Sequence, residues 1–294
     1  ETATAPITDI TLISANSGGT ITGDAGSTIT GSGIVWDTSP NPTVSLVTKT
    51  DEGLSPGNFA STISNLSPDV TYYIRAYVSN SRTTTYGQEL NFNTLNSIID
   101  FDGNSYKVVK IGSQIWMAEN LKTTSYNDGT PIPNVTDAGE WIGLTSGAYT
   151  YYNNDAASYQ NPYGAIYNGY AVQMGSLCPD GWHIPSEDEW LQLANFVGGE
   201  AVAGGQLKET GTDHWAPPNT GASNNFGFTA VPSGHRWTDG GFYDINEGAQ
   251  LWSSTESEFT SGNIRIFGMS YLENNAIRPS YPQIYGAACR CVMD

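Results

Sequence analysis

Only one stretch of this chain, Ser186 to Val197, keeps apolar residues at helical spacing; elsewhere short apolar runs are broken by glycine, proline, asparagine or aspartate. A chain punctuated that often cannot build a helix bundle and must fold as short strands joined by turns. Its 33 glycines and 15 prolines supply the turns, and 12% aromatic residues supply core bulk that a disordered chain would lack. With 294 residues there is material for two domains, each able to bury a core.

The net charge of −18 is spread over both parts, five negative charges in residues 1–97 and thirteen in residues 98–294. No basic stripe is present to neutralise phosphates, so neither nucleic acid nor an anionic lipid surface is an expected partner. Solubility is the simple consequence of the acidity, and a patch that loads divalent cations is the alternative. No apolar run reaches the ~18 residues that would span a bilayer. No signal peptide is visible, and the opening Glu-Thr-Ala-Thr-Ala-Pro reads as the ragged start of a processed or trimmed chain. Any export signal, lipid anchor or further repeat would then lie upstream. The three cysteines, Cys178, Cys289 and Cys291, lack C-x-x-C spacing. One distant pair closing a loop of about a hundred residues fits an oxidising compartment.

Strand period and composition mark Ile10–Ile13, Gly33–Trp36, Val44–Val47 and Thr71–Val78, with Gly18-Gly19, Ser39–Pro42 and Ser67–Asp69 as punctuation. In the longest run Tyr73, Arg75 and Tyr77 share one face, and Tyr72, Ile74, Ala76 and Val78 share the other. Trp36 is a core candidate. About seven strands in about 95 residues suggest an immunoglobulin-like β-sandwich. GSGIVWDTSPNP (31–42), Leu66-Ser67-Pro68 leading into TYYIRAYVSN, and Tyr86-Gly87 leading into FNTL resemble a fibronectin type III-like repeat of exported Bacteroidetes proteins. That resemblance implies a stalk or adaptor. The short junction Asn96–Ile99 sets the domains at residues 1–97 and 98–294.

In the second part Asp100-Phe101-Asp102-Gly103-Asn104 has the look of a calcium-loop start. Its glycine comes too early, however, and no bidentate glutamate follows, so a hairpin turn on Asp102-Gly103 is expected. Lys107–Ile111 and Gln114–Ala118 read as strands, and residues 124–176 as glycine-, asparagine- and tyrosine-rich loops. Ser186 and Glu189 have capping-box spacing, Glu187 and Asp188 favour the positive helix end, and Trp190, Leu191, Leu193, Ala194 and Val197 form an apolar face ended by Gly198-Gly199.

Six ordered segments, KVVKIGSQIWMAENLKTTSYNDGTPI (107–132), YGAIYNGYAV (163–172), LCPDGWHIPSEDEWLQL (177–193), GGQLKETGTDHWAPPNTGASNNFGFTAVPSGHR (204–236), LWSSTE (251–256) and CRCVMD (289–294), resemble the Fibrobacter succinogenes major paralogous domain. The resemblance implies a C-type-lectin-like α+β fold, hence a mainly β chain with some α. It also implies a secreted or bacterial cell-surface location and a Cys178–Cys291 disulfide. Cys289 could take that bridge instead or stay a buried thiol.

The helix segment also resembles the formylglycine-generating enzymes, which use two reactive cysteines, but the Cys289/Cys291 spacing departs from their pattern and no activating neighbour is evident. Such an oxidase is a remote alternative. Sugar-binding C-type lectins use Glu-Pro-Asn or Gln-Pro-Asp and then Trp-Asn-Asp; this chain has Trp252-Ser253-Ser254-Thr255-Glu256 there and no Glu-Pro-Asn. The loop Glu273-Asn274-Asn275 is oxygen-rich, although a solvated loop explains it more simply. His183, His214 and His235 show no zinc spacing, and His183 is expected to bond a backbone group. No Gly-x-Ser-x-Gly marks a nucleophile turn. No catalytic residue, metal or cofactor is therefore assigned. Loop aromatics are the best binding candidates: Trp237, Phe242, Tyr243, Tyr271, Tyr281 and Tyr285, with Asn274 and Asn275, while Trp182 and Trp252 fit a core. The expectation is a non-enzymatic surface adhesin presenting loops to a glycan or protein. The rival is a structural subunit binding copies of itself in a fibre, sheath or surface layer.

Overall fold

The computed structural model describes residues 2–23 and 27–294 and is mainly β, with 37% strand against 12% helix. It divides into two compact units, Glu1–Asn96 and Ser97–Asp294.

Seven strands are found among the described residues of the first unit: β1 (Thr2–Thr4), β2 (Ala15–Ile21), β3 (Ile29–Asp37), β4 (Gly57–Ile63), β5 (Thr71–Asn80), β6 (Thr84–Tyr86) and β7 (Leu90–Asn93). One antiparallel sheet has the order β1-β2-β4; in the other, β5 pairs with β3, β6 and β7. Both sheets feed one core of Ala15, Ile34, Ile63, Leu66, Tyr72, Ile74, Ala76 and Phe92, with Trp36 half-buried against it. Period two places Tyr72, Ile74, Ala76 and Val78 inward along β5. Its other face is covered as well: Tyr77 is buried and donates to the Thr50 carbonyl at 2.7 Å, and the Arg75 guanidinium lies 4.2 Å from the Tyr86 ring centre.

Three sequence readings change here. Ile10–Ile13 is a turn, because Thr11 bonds Ser14 through both its backbone N–H (2.8 Å) and its hydroxyl. Val44–Val47 is also a turn, closed from Leu46 N–H to the Thr43 carbonyl at 3.0 Å, with Val47 fully outside. In both, threonine and serine hydroxyls offer local bonds that compete with a ladder. Gly18 and Gly19 do not punctuate; they lie within β2, where a Cβ on Gly18 would stand 2.1 Å from the Phe59 carbonyl oxygen. The opening residues Thr2–Thr4 pair with Gly19–Ile21, and Glu1 lies outside the described residues.

The second unit begins with β8 (Ser97–Ile99), β9 (Ser105–Ile111) and β10 (Gln114–Met117). Helix α1 (Ala138–Ile142), β11 (Tyr149–Thr150), α2 (Ala156–Tyr159), β12 (Ile166–Asn168) and α3 (Gly169–Gln173) interrupt the long loops. Then come β13 (Trp182–His183), α4 (Glu187–Phe196), α5 (Glu200–Leu207), β14 (Ser233–Arg236), β15 (Phe242–Ile245), β16 (Gly248–Glu256) and β17 (Asn263–Ser270). Short strands β18 (Ala276–Ile277), β19 (Ser280–Pro282), β20 (Gly286–Ala287) and β21 (Val292–Met293) complete it. One sheet runs β13-β21-β10-β9-β8; the other runs β11-β12-β20-β14-β16-β17-β18, with β15 beside β14 and β19 beside β17.

The β8–β9 hairpin turns on Asp100–Asn104, with Gly103 at φ 84°. Its acids hold the chain: Asp100 accepts from Asn104 and the Tyr106 hydroxyl, and Asp102 Oδ2 accepts from Thr123, Thr124 and Ser125. Helix α4 carries both halves of the capping box. Its inner face meets a core in which Trp190 stacks on Phe267 at 4.7 Å and touches Trp116. Sequence reading missed α5, whose glycines look unhelical; they admit a crossing loop, since a Cβ on Gly204 would meet the Asn275 carbonyl oxygen at 2.2 Å.

Cys178 and Cys291 are bonded, the pairing that the family resemblance implied, and Cys289 remains a buried thiol whose pKa burial pushes well up. His183 corrects its expectation. It meets carboxylates, not backbone: Nδ1 lies 2.6 Å from Asp294 and Nε2 2.8 Å from Glu189, tying β13 and α4 to the end of β21.

Candidate functional site

The hairpin of β14 and β15 sets the site. Its register opposes His235 to Tyr243 and Arg236 to Phe242. Adjacent residues of a strand face opposite ways, so the two pairs point to opposite sides. On one side Arg236 is fully buried, 4.4 Å from the Trp141 ring and 4.9 Å from Phe242. It donates to the carbonyls of Gly240 (3.0 Å), Val135 (2.7 Å) and Thr136 (3.0 Å). Burial pulls its pKa down to about 10. This guanidinium fastens the hairpin tip to the loop before α1.

The tip closes by Trp237 N–H to the Gly241 carbonyl at 2.8 Å and Gly240 N–H to the Trp237 carbonyl at 2.9 Å. Gly240 is required there: φ is 82°, and a Cβ would stand 2.8 Å from Ala138. Asp239 stiffens the tip by accepting from Gly241 N–H and from the Tyr243 hydroxyl at 2.9 Å.

On the other side the rings gather. Tyr281 stacks on Tyr285 at 4.2 Å and 13°, Tyr285 on His235 at 5.0 Å and 25°, and His235 on Tyr243 at 5.9 Å and 30°. Trp237 stands edge-on to His235, Tyr281 and Tyr285. From below, Trp252 meets Tyr285 edge-on, and Trp141 Nε1 donates to the Ile284 carbonyl at 2.8 Å, fixing the segment that delivers Tyr285. Together with Asp239, Asp244 and Gln250 these residues line an open cleft of 390 Å³.

Three polar side-chain atoms of this lining are buried without a hydrogen-bond partner: His235 Nδ1, Tyr285 OH and Gln250 Oε1. Asp244 Oδ2 stands 3.5 Å from His235 Nδ1 and makes no hydrogen bond with it. Burial lowers the His235 pKa, against the pull of Asp244 and Asp239, so the ring is neutral at pH 7. Burial, then Tyr281 and Asp244, push the Tyr285 phenol far up. An unsatisfied buried polar group costs roughly 1–3 kcal/mol. All three belong to residues that line the one cleft.

The eight candidates therefore divide. Trp237 (37% exposed), Tyr243 (45%), Tyr281 and the wholly buried Tyr285 share the cleft. Phe242 lies on the opposite side of the hairpin, 5.4 Å from Tyr152. Tyr271 packs half-buried on the tryptophan core. Asn274 lies against Gly205 and Gly221, and the Asn275 carbonyl against Gly204. The Glu273 carbonyl accepts from Lys208 at 2.9 Å, so this loop braces α5 instead of standing free in solvent. Asp239, Asp244 and Gln250 were not singled out from sequence, and His235 was weighed only as a zinc ligand; strand pairing puts them beside the rings.

Comparison with curated proteins finds no match. Among solved structures, the sensor domain of the anti-sigma factor RsgI4 of Pseudobacteroides cellulosolvens is 22% identical over 32% of this chain and 74% of its own, with a TM-score of 0.25. A shorter form of that domain is 26% identical over 32% of this chain and 93% of its own, with a TM-score of 0.25. Domains A168–A170 of titin are 17% identical over 32% of each chain, with a TM-score of 0.23. Residues 109–293 match the profile of the Fibrobacter succinogenes major domain, and with that match spanning well over half its length the chain belongs to the Fibrobacter succinogenes major domain family.

Proposed function

We propose that this protein is an exported bacterial surface recognition module, in which a fibronectin type III-like sandwich carries a C-type-lectin-like domain whose ring-lined cleft binds a glycan or protein. The observation behind this reading is the convergence of three unpaired buried polar atoms on a stack of aromatic rings. Ring faces give broad contact at low entropy cost, and the polar atoms fix orientation. The cystine favours an oxidising compartment. A non-catalytic role suits a free thiol sealed in the core with a raised pKa, unlike the exposed, activated thiolate of an oxidase.

The test is a glycan and peptide array probed with the full chain and with Trp237→Ala/Tyr243→Ala. The expected outcome is a ligand whose binding falls at least ~10-fold in the double variant, since a well-placed ring contributes over 1 kcal/mol. Undiminished binding would move the site elsewhere. The rival reading is a self-assembling fibre, sheath or layer subunit, which a compact two-unit plan would suit. Ordered polymers of purified protein on sizing or imaging would favour it.

A further inference from the structure

We propose that the group this cleft selects is a cationic nitrogen, an ammonium or guanidinium, and not a neutral hydroxylated surface. The inference rests on the cleft being the binding site, and it specifies the ligand's charge.

The lining is one-sided. Two carboxylates, Asp239 and Asp244, border it, and no lysine or arginine does. Arg236 follows His235 in sequence, but it faces the other side of the hairpin and is bound to three carbonyls. The unpaired Gln250 Oε1 is an acceptor, and His235 Nδ1 and Tyr285 OH can each accept. Trp237, Tyr243 and Tyr281 add ring faces, whose quadrupole is negative and attracts cations. A neutral sugar offers donors and acceptors alike, whereas an ammonium carries three donors, a guanidinium five, and neither any acceptor. Donor-only chemistry with positive charge is the complement of acceptors, carboxylates and ring faces in one cleft. The net acidity of residues 98–294 adds a long-range field that raises the encounter rate of a cation.

A cationic nitrogen could come from a basic side chain of a polypeptide or from an amino sugar, and matched probes separate them. Calorimetry with the full chain would compare argininamide with its neutral isostere citrullinamide, and a glucosamine tetramer with its N-acetylated form. At least one charged probe should bind about tenfold or more tightly than its neutral twin. Its affinity should fall with salt, and Asp244→Asn should weaken it roughly tenfold. Asn suits the site because residue 244 sits at φ 59°, where Asn is well tolerated. Argininamide binding alone identifies a peptide side chain; glucosamine binding alone identifies an amino sugar. Equal affinity for charged and neutral twins, abolished by Trp237→Ala, would overturn the cation while leaving the cleft as the site. Unchanged affinity in Asp244→Asn, or no binding of either charged probe, would overturn the cation as well. Binding indifferent to both Trp237→Ala and Asp244→Asn would sink the site assignment too.

Discussion

Among the described residues three bases are completely buried, Lys208, Arg236 and Arg290, and their charges end mainly on backbone carbonyls. Lys208 Nζ donates to Thr220, Ser270 and Glu273 carbonyls at 2.8–2.9 Å, and burial brings its pKa down to about 8. Arg290 reaches the carbonyls of Phe228 and Thr229 and the Asn120 side chain. Each ties together loops that lack ladders of their own. Lys208→Met keeps the stem but strands three acceptors, and should destabilise the second unit by roughly 2–4 kcal/mol in a denaturant titration. His183 gives a pH signature. Burial opposes its protonation, but the Asp294 and Glu189 carboxylates prevail and raise its pKa. A raised folded value means that its contribution is complete below the unfolded pKa of about 6.5 and is lost as pH rises through the folded pKa. Glu189 is shifted down, so its share disappears on acidification instead. Thermal melts of His183→Gln should therefore lose less stability than the parent as pH rises above about 6.5. Nothing in sequence marks Lys208, Arg236 or Arg290 as buried, because a buried base and a surface base are spelled alike.

At the level of elements, periodicity was readable where one face is buried over a long run, as in β5 and α4. It failed where local hydroxyl bonds competed, at Ile10–Ile13 and Val44–Val47, and where glycine admits a close crossing, at Gly18-Gly19 and in α5. The cleft was legible only as a set of loop aromatics. Which of them converge depends on the pairing of His235 with Tyr243 and on the turn that delivers Tyr285, and neither is encoded locally. Phe242 shows the limit: one step along the strand separates it from Tyr243 and sends it to the other side. Helix α5 allows a test of competing effects. Gly205→Ala gains about 1 kcal/mol of helix propensity, but its Cβ would sit 1.9 Å from Asn274 Oδ1 and 2.5 Å from the Gly221 carbonyl oxygen. Overpacking costs about 1–3 kcal/mol, so a net loss is expected by denaturant melts. Ser186→Ala, which removes a cap alone, should cost about 1 kcal/mol.

For the whole molecule, the two units and the cystine predict unequal responses to one change. Cys178→Ala with Cys291→Ala opens a loop of 113 residues, whose closure stabilises by about 4–5 kcal/mol in the chain-entropy account. Scanning calorimetry should show the second unit's transition falling while the first unit's stays in place. The position of β21 has a further consequence for biogenesis. It lies between β10 and β13, so a strand made last in its unit fills an interior slot beside strands made much earlier. Until residues 289–293 are made, β13 has no neighbour in that sheet, β10 keeps an open edge and the cystine lacks a partner. Closure of this sheet therefore waits on the last residues of the unit, and a chain cut just short of them would leave β13 and its half of the cystine unfastened.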